Sequence, residues 1–296
     1  MGAPEGVDLS IVIVNHNSKE FLGQLLPSLY ETPCEVTFEV WVVDNNSTDG
    51  TLEMVAHRFP QVQLIANEVN RGFAAANNQA LQKSRGRYIL LLNPDTVLKP
   101  RALDIMVCFL DNHREVGAVG PKLLNLDGTV QLSSKFFPTP KVAILKTLGV
   151  DRVFPEQPTL KKHFLSPEAR EEAQEVESLQ ASCLMVRREM VDEVGPLDER
   201  FFMYCEDIDW CRRMREKGWK LYFLPEAQAL HYRGGSTNKD SYRMIIVYHQ
   251  SLYRFYKKYY APDTFWLLNY AFYGGLLLRL APKFLVNLFR REKRAR

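Results

Sequence analysis

One pattern recurs through the first 120 residues: a short β-branched or aliphatic run, a polar loop, then apolar residues at helical spacing. Leu9-Ser10-Ile11-Val12-Ile13-Val14 leads into Asn15-His16-Asn17-Ser18, after which Leu22, Leu25, Leu26 and Leu29 recur. Val40 to Val43 precedes Asp44-Asn45-Asn46-Ser47 and a helix near Thr51 to Phe59. Val62 to Ala66 precedes a helix from about Gly72 to Lys83. Tyr88 to Leu92 precedes Asn93-Pro94-Asp95 and a helix from about Pro100 to Asn112, and Val116 to Gly120 reads as a fifth buried strand. Strands that are apolar without alternation must be covered on both faces, and the intervening helices supply the cover. The expectation is an α/β fold on a mainly parallel central sheet. In such sheets ligands gather beyond the carboxyl ends of the strands, where this chain places Asn15, Asp44 and Asp95.

At 296 residues and 46% hydrophobic content, the chain suits one large domain with an appendage. Lys plus Arg number 38 against 35 Asp plus Glu; a formal charge of +3 is too small to point to nucleic acid. The five cysteines are scattered, with no C-x-x-C pair, and read as reduced thiols. Met1 to Asp8 has no apolar core, so no signal peptide is expected and the cytoplasm is the expected compartment. The proline-rich stretch from Ser133 to Glu177 breaks the rhythm and reads as a variable insertion of residues 133–177. Patterning resumes at Leu179 to Val186, and a strand is expected at Lys220 to Leu224. Thr264 to Leu278 is strongly apolar, but Arg279 interrupts it before the roughly 18 to 20 residues a spanning helix needs. Its aromatics and the basic end at Arg290 to Arg296 suit a helix lying on the inner face of the cell membrane. The alternative is packing on the domain or on a second subunit, as in a homodimer.

Phe201 to Trp210 sets three carboxylates in an aromatic, apolar run. In a helix from Glu206 to Lys217, Asp207 shares a stripe with Trp210, Cys211 and Met214, so Asp207 is expected to line a cavity where its charge is used. Glu206 and Asp209 either serve beside it or complement the positive end of the helix, Asp209 with a surface pair to Arg213. By its helical position Trp210 reads as core packing. No G-x-G-x-x-G follows the first strand and no P-loop is present, so a phosphate group needs another counter-charge. Asp95 can hold Mg2+ or Mn2+ by one carboxylate, leaving the other positions for water and phosphate, and His231 becomes a ligand if the fold brings it near. On their own, Asn93-Pro94-Asp95 reads equally as a turn and Asp44 to Thr51 as a helix start.

In order, Ile13-Val14-Asn15, Val43 to Thr51, Asn70-Arg71-Gly72 with Phe73 to Asn78, Leu92 to Asp95, Glu206 to Asp209 and His231 resemble the family 2 glycosyltransferases of the GT-A (Rossmann-like) fold. The resemblance runs from about Leu9 to Ser236, implying a transferase domain over residues 1–236 and a C-terminal helical, membrane-associating segment over 237–296. It implies a nucleotide-diphosphate sugar donor and a metal-dependent, inverting transfer to a saccharide or lipid-linked saccharide in surface polysaccharide synthesis. Carried over, Asn15, Asp44, Asn46, Arg71, Asn93 and Asp95 bind the donor, with Asn15 and Asp44 facing the base. Asp95 and His231 serve the metal and Asp207 is the general base, while Glu206, Asp209 and Trp210 lie on the acceptor side. Asn93 departs from the commoner Asp, and this Asn-Pro-Asp version resembles the branch with bacterial rhamnosyltransferases that use dTDP-rhamnose. The rivals are a sugar-nucleotide nucleotidyltransferase and a non-catalytic membrane-bound scaffold. The first lacks its early glycine loop here; the second is disfavoured by Asp44, Asp95, Asp207 and His231 all being intact.

Overall fold

The computed structural model describes residues 6–131, 133–135, 137, 171–232 and 242–278. The strands are β1 (Leu9–Asn15), β2 (Phe38–Asp44), β3 (Gln63–Ala66), β4 (Tyr88–Leu92), β5 (Thr96–Leu98), β6 (Val116–Leu124), β7 (Val130–Gln131), β8 (Ser134–Lys135), β9 (Gln174–Glu175), β10 (Ser178–Leu179), β11 (Cys183–Arg187) and β12 (Lys220–His231). The helices are α1 (Lys19–Glu31), α2 (Thr51–Arg58), α3 (Phe73–Lys83), α4 (Ala102–Asn112), α5 (Arg188–Val194), α6 (Glu206–Glu216) and α7 (Tyr242–Tyr259), followed by helical residues 266–278.

The main sheet runs in the order β3-β2-β1-β4-β11-β6-β12-β5. Its first half is parallel, and β6 and β12 are parallel to each other. The second half departs from the expected parallel rule: β11 is antiparallel to both β4 and β6, and β5 is antiparallel to β12. Antiparallel neighbours need no crossover helix between them, and the chain reaches β11 by the short turn after β10.

Successive residues of β1 point to opposite faces. Ile11 and Ile13 pack with Leu22, Leu25 and Leu26 of α1 and Met106 and Leu110 of α4. Val12 packs on the other face with Ala76 and Ala80 of α3, Met190 of α5 and Trp210 and Met214 of α6. Each fully buried leucine of this kind stabilises by about 1.5–3 kcal/mol. A third cluster joins Phe201 and Cys205 to Phe255, Tyr256 and Tyr260 at the end of α7 and to Phe272 and Leu276 beyond it. Tyr256 and Phe272 are stacked at 3.7 Å between ring centroids.

The C-terminal segment is therefore bound to the rest through α7 and the residues that lead into α6. Among the described residues no helix is long and apolar enough to cross a membrane. The basic end at Arg290 to Arg296, most of the insertion (138–170) and the expected boundary at 236/237 lie outside the described residues.

Candidate active site

A cleft of about 620 Å³ opens at the carboxyl ends of β1, β2 and β4. One wall comes from the loops after those strands. The other comes from the Ser178 to Ser182 turn, the residues leading into α6, and the first half of α7.

On the first wall, Asn15 and Asp44 are paired across the parallel β1–β2 register. Asn15 Nδ2 donates to Asp44 Oδ1 (3.2 Å), Ser47 Oγ (3.1 Å) and Thr51 Oγ1 (3.2 Å), and Asp44 Oδ2 accepts from the Ser47 amide at 2.8 Å. Both residues are fully buried, and neither lines the cleft as the sequence had suggested. Facing each other across the ladder, they fix the loop, while Asn15 Oδ1 is buried without a hydrogen-bond partner among the described residues. Asn46, at φ 65°, and Arg71 are exposed, and their side chains also stand outside the cleft lining.

The polar groups at the wall are His16, Asn45, Asn70 and Asn93. Asn45 braces the second loop: its Nδ2 donates to Gly72 O (3.0 Å), and its Oδ1 accepts from Asn67 Nδ2 (3.1 Å) and the Arg71 amide (3.2 Å). Gly72 sits at φ 84°, where a Cβ would meet Phe202 O at 2.4 Å, so glycine is required for the loop to approach the α6 side. The adjacent Phe73 amide donates to that same Phe202 carbonyl at 2.7 Å. Asn45 stood in a motif already singled out, but strand-end phase did not separate it from Asp44.

Asp95 and His231 are brought together by sheet register. His231 ends β12 opposite Thr96, the residue after Asp95, and His231 Nε2 lies 3.6 Å from Asp95 Oδ1. Gln131 Nε2 donates to the His231 carbonyl at 2.6 Å, which leaves Gln131 Oε1 to accept from imidazole Nδ1–H at 2.9 Å. In the neutral imidazole the Nε2 lone pair is then on the Asp95 side, the orientation that a carboxamide or carboxylate partner imposes on a metal-binding histidine. Among the described residues no group of three His, Cys, Asp or Glu converges. One carboxylate and one imidazole fit a hard divalent cation whose other ligands are water and phosphate.

On the opposite wall, Tyr204 (φ 70°) and Cys205 (φ 68°) are consecutive left-handed residues immediately before α6. Such backbone costs about 1–3 kcal/mol per residue and is retained where surrounding contacts impose it, here the packing of Cys205 against Phe255 and Tyr256. The turn sets Glu206 and Asp207 at the amino end of α6, where the helix favours negative charge. Asp207 is part-buried, lines the cleft, and accepts from the Ile208 amide at 2.8 Å and from the Ala181 amide at 3.4 Å.

Asp209 departs from the sequence reading. Asp209 is fully buried, and its pair with Arg213 (2.9 Å) is not a surface pair: Lys258 Nζ at 2.5 Å and Tyr259 Oη at 2.7 Å, both from α7, also donate to it. Burial first, and the Asp209 bond second, push the Tyr259 hydroxyl well above its ordinary range. Trp210 is core, its indole N–H donating to Gly195 O at 2.9 Å, so neither Asp209 nor Trp210 lines the cleft. Tertiary packing accounts for this: α7 covers a second face of α6, so the inward set widens to Glu206, Asp209, Trp210, Cys211 and Met214. The same helix adds Arg243, Met244, Tyr248 and Leu252 to the cleft, with the Arg243 guanidinium 5.2 Å from the Phe202 ring centroid and Tyr248 edge-on to Tyr204 at 5.5 Å.

A half-parallel sheet with an acid–imidazole pair at its strand ends and a carboxylate on the facing helix defines the chain as a glycosyltransferase of the GT-A fold. GalNAc-T7, solved with UDP, GalNAc and Mn2+, superposes with a TM-score of 0.62 at 16% identity over 88% of this chain, which spans 49% of that structure. The sequence pattern of Glycosyl transferase family 2 matches residues 10–195, and the chain belongs to that family. It is 30% identical over 265 residues to the N-acetylglucosaminyl-diphospho-decaprenol L-rhamnosyltransferase of Mycobacterium tuberculosis, covering 83% of each chain. It is 26% identical over 233 residues to the rhamnosyltransferase WbbL of Escherichia coli K12, covering 75% of this chain and 82% of the relative.

Proposed function

We propose that the protein transfers a sugar, with rhamnose from dTDP-rhamnose the favoured donor, to a hydroxyl of a lipid-diphosphate-linked saccharide, with inversion at the anomeric carbon. The carrying observation is that Asp207 and the Asp95–His231 pair line one cleft from opposite walls. An inverting displacement needs a base on the acceptor side and charge neutralisation on the leaving-group side. Asp207 would take the proton of the attacking hydroxyl. Asp95 and His231 would hold Mg2+ or Mn2+, which supplies Lewis-acid stabilisation of the departing diphosphate. Asn45, Asn70 and Asn93 would hydrogen-bond the nucleotide and sugar, with Asn15 and Asp44 holding the loop beneath them. The rhamnosyltransferase relatives support the donor, and the acceptor in the mycobacterial relative's name supports the lipid-linked class.

A membrane location is proposed on the C-terminal helix. Phe272 and Leu276 face α7, whereas Phe265, Trp266, Leu267, Leu268, Tyr270, Leu277 and Leu278 are exposed. An apolar face of that kind suits the interface of the membrane that carries the acceptor.

The test is incubation with dTDP-rhamnose, UDP-sugars and GDP-mannose and a prenyl-diphosphate-linked N-acetylglucosamine, with and without EDTA. Transfer from dTDP-rhamnose, stopped by EDTA and restored by Mn2+ or Mg2+, is expected. Full activity in EDTA would remove the metal from the reading, and transfer only from another donor would remove rhamnose.

A further inference from the structure

Glu206 is set against Asp207 in the wall of the cleft, 6% exposed, and its Oε2 has no hydrogen-bond partner. Arg213 and Lys258 of the helix pair are committed elsewhere, both to Asp209. Among the described residues Glu206 makes no ion pair. An ionised carboxylate in that position would be desolvated and uncompensated, beside a second carboxylate. Groups so placed neutralise by taking a proton. Burial first, and then the charge of Asp207, raise the Glu206 carboxyl well above the usual range, with Asp209 adding to the same direction.

The surrounding groups do not reverse this. Tyr204, on the preceding turn, is itself raised by burial first and then by Glu206 and Tyr248. Across it on α7, Tyr248 contacts Tyr204 edge-on and His249 packs on Tyr248, while Arg243 is engaged with the Phe202 ring.

We propose that Glu206 is a neutral acid in the resting enzyme, the protonated member of a Glu206–Asp207 pair, and a positioning residue that keeps a second negative charge out of the cleft so that Asp207 alone acts as base. The inference rests on the reading of Asp207 given above. In the transfer step the acceptor O–H bond breaks and its proton passes to the Asp207 carboxylate. The new glycosidic C–O bond forms, and the bond from sugar to phosphate breaks with its electron pair leaving on the diphosphate. Glu206 keeps its proton throughout. Loss of the Glu206 proton would put a second negative charge beside Asp207 and so sets the upper pH limit of the reaction.

The experiment is infrared spectroscopy of the full chain at neutral pH, wild type against Glu206→Gln. A protonated-carboxyl band present in wild type, missing in the variant and replaced by a carboxylate band only at alkaline pH is expected. Wild type made with carboxyl-labelled glutamate should shift that protonated band, which assigns it to a glutamate and not to an aspartate. Glu206→Gln should also lose the alkaline fall in kcat/KM, because the amide is neutral at every pH. The folded-state pKa of Glu206 stands above its unfolded value, so its contribution to stability is present at low pH and lost as pH rises through the folded value. The melting temperature of wild type should accordingly fall relative to Glu206→Gln on the alkaline side. Absence of a protonated-carboxyl band from wild type at neutral pH, or a hundredfold loss of kcat in Glu206→Gln with unchanged nucleotide affinity, would overturn the proposal. If instead Asp207→Asn keeps its activity, the base assignment fails while the infrared result for Glu206 stands by itself.

Discussion

The two walls of the cleft are held by different physics. The strand-end wall is a lattice of amides and hydroxyls set around the buried Asp44 carboxylate, with Asn15, Asn45, Asn67 and Ser47 bonding it, one another and the backbone. The helix wall is held by ions and strain: Asp209 collects Arg213, Lys258 and Tyr259, and two left-handed residues aim the amino end of α6. Neutral hydrogen bonds contribute about 0.5–1.5 kcal/mol each and fail one at a time. A buried ion whose partners are removed fails abruptly, by several kcal/mol. The first construction holds a shape for a ligand to meet, and the second holds one carboxylate in place.

That contrast can be broken or sharpened by four substitutions. Asp207→Asn should have the largest effect, lowering kcat by about a hundred- to ten-thousand-fold with the melting curve unchanged. Single-turnover transfer at saturating substrates measures it; near-normal rates would move the base to another residue. Asp209→Asn should come next, costing about 3 kcal/mol because Lys258 and Arg213 lose a shared buried partner, and lowering kcat as α6 loosens from α7. Urea unfolding reads the stability, and a loss below about 0.5 kcal/mol would make the helix wall no different from a surface pair. Asn45→Ala should cost about 2 kcal/mol by leaving Gly72 O and the Arg71 amide unpaired, and should raise the KM for the nucleotide sugar more than it lowers kcat. The reverse split would put Asn45 on the chemical side of the site. Glu216→Gln, which removes the exposed Arg212–Glu216 pair at 3.0 Å on α6, should change stability by less than about 0.5 kcal/mol and leave both kinetic constants alone.

The strand-end wall was largely legible because a parallel strand–helix repeat fixes where strands end. Asn15, Asp44, Asn93 and Asp95 are all found there, and α3 and β4 fall at Phe73–Lys83 and Tyr88–Leu92, close to expectation. What was not legible is which strand-end side chain turns into the cleft, since that depends on a cross-strand bond between Asn15 and Asp44 across 29 residues. His231 was reached through family resemblance, not periodicity. β12 runs seven residues beyond Leu224, through a register irregularity between Leu224 and Gln228, and only that extension carries His231 to Asp95. On α6 the phase of Asp207, Trp210, Cys211 and Met214 was right for three core residues and for Asp207 at the cleft, but it gave no reason to bury Glu206 and Asp209. A helix with one covered face would have left Asp209 in solvent; α7, distant in sequence, covers the other face.

The antiparallel strand β11 also constrains how the chain is assembled during synthesis. It lies between β4 and β6, both of which are made earlier, so these two strands cannot complete their pairing until Arg187 has left the ribosome. β6 then waits further for β12, whose last residue is His231. Until that point the nascent protein carries apolar strands with open edges, the condition that invites association with other chains. Its closure is non-local and correspondingly slow. A fragment ending before β11 keeps most of the nucleotide-side loops but has a sheet split down its middle, so such fragments should collect as aggregates and not as independent nucleotide-binding units.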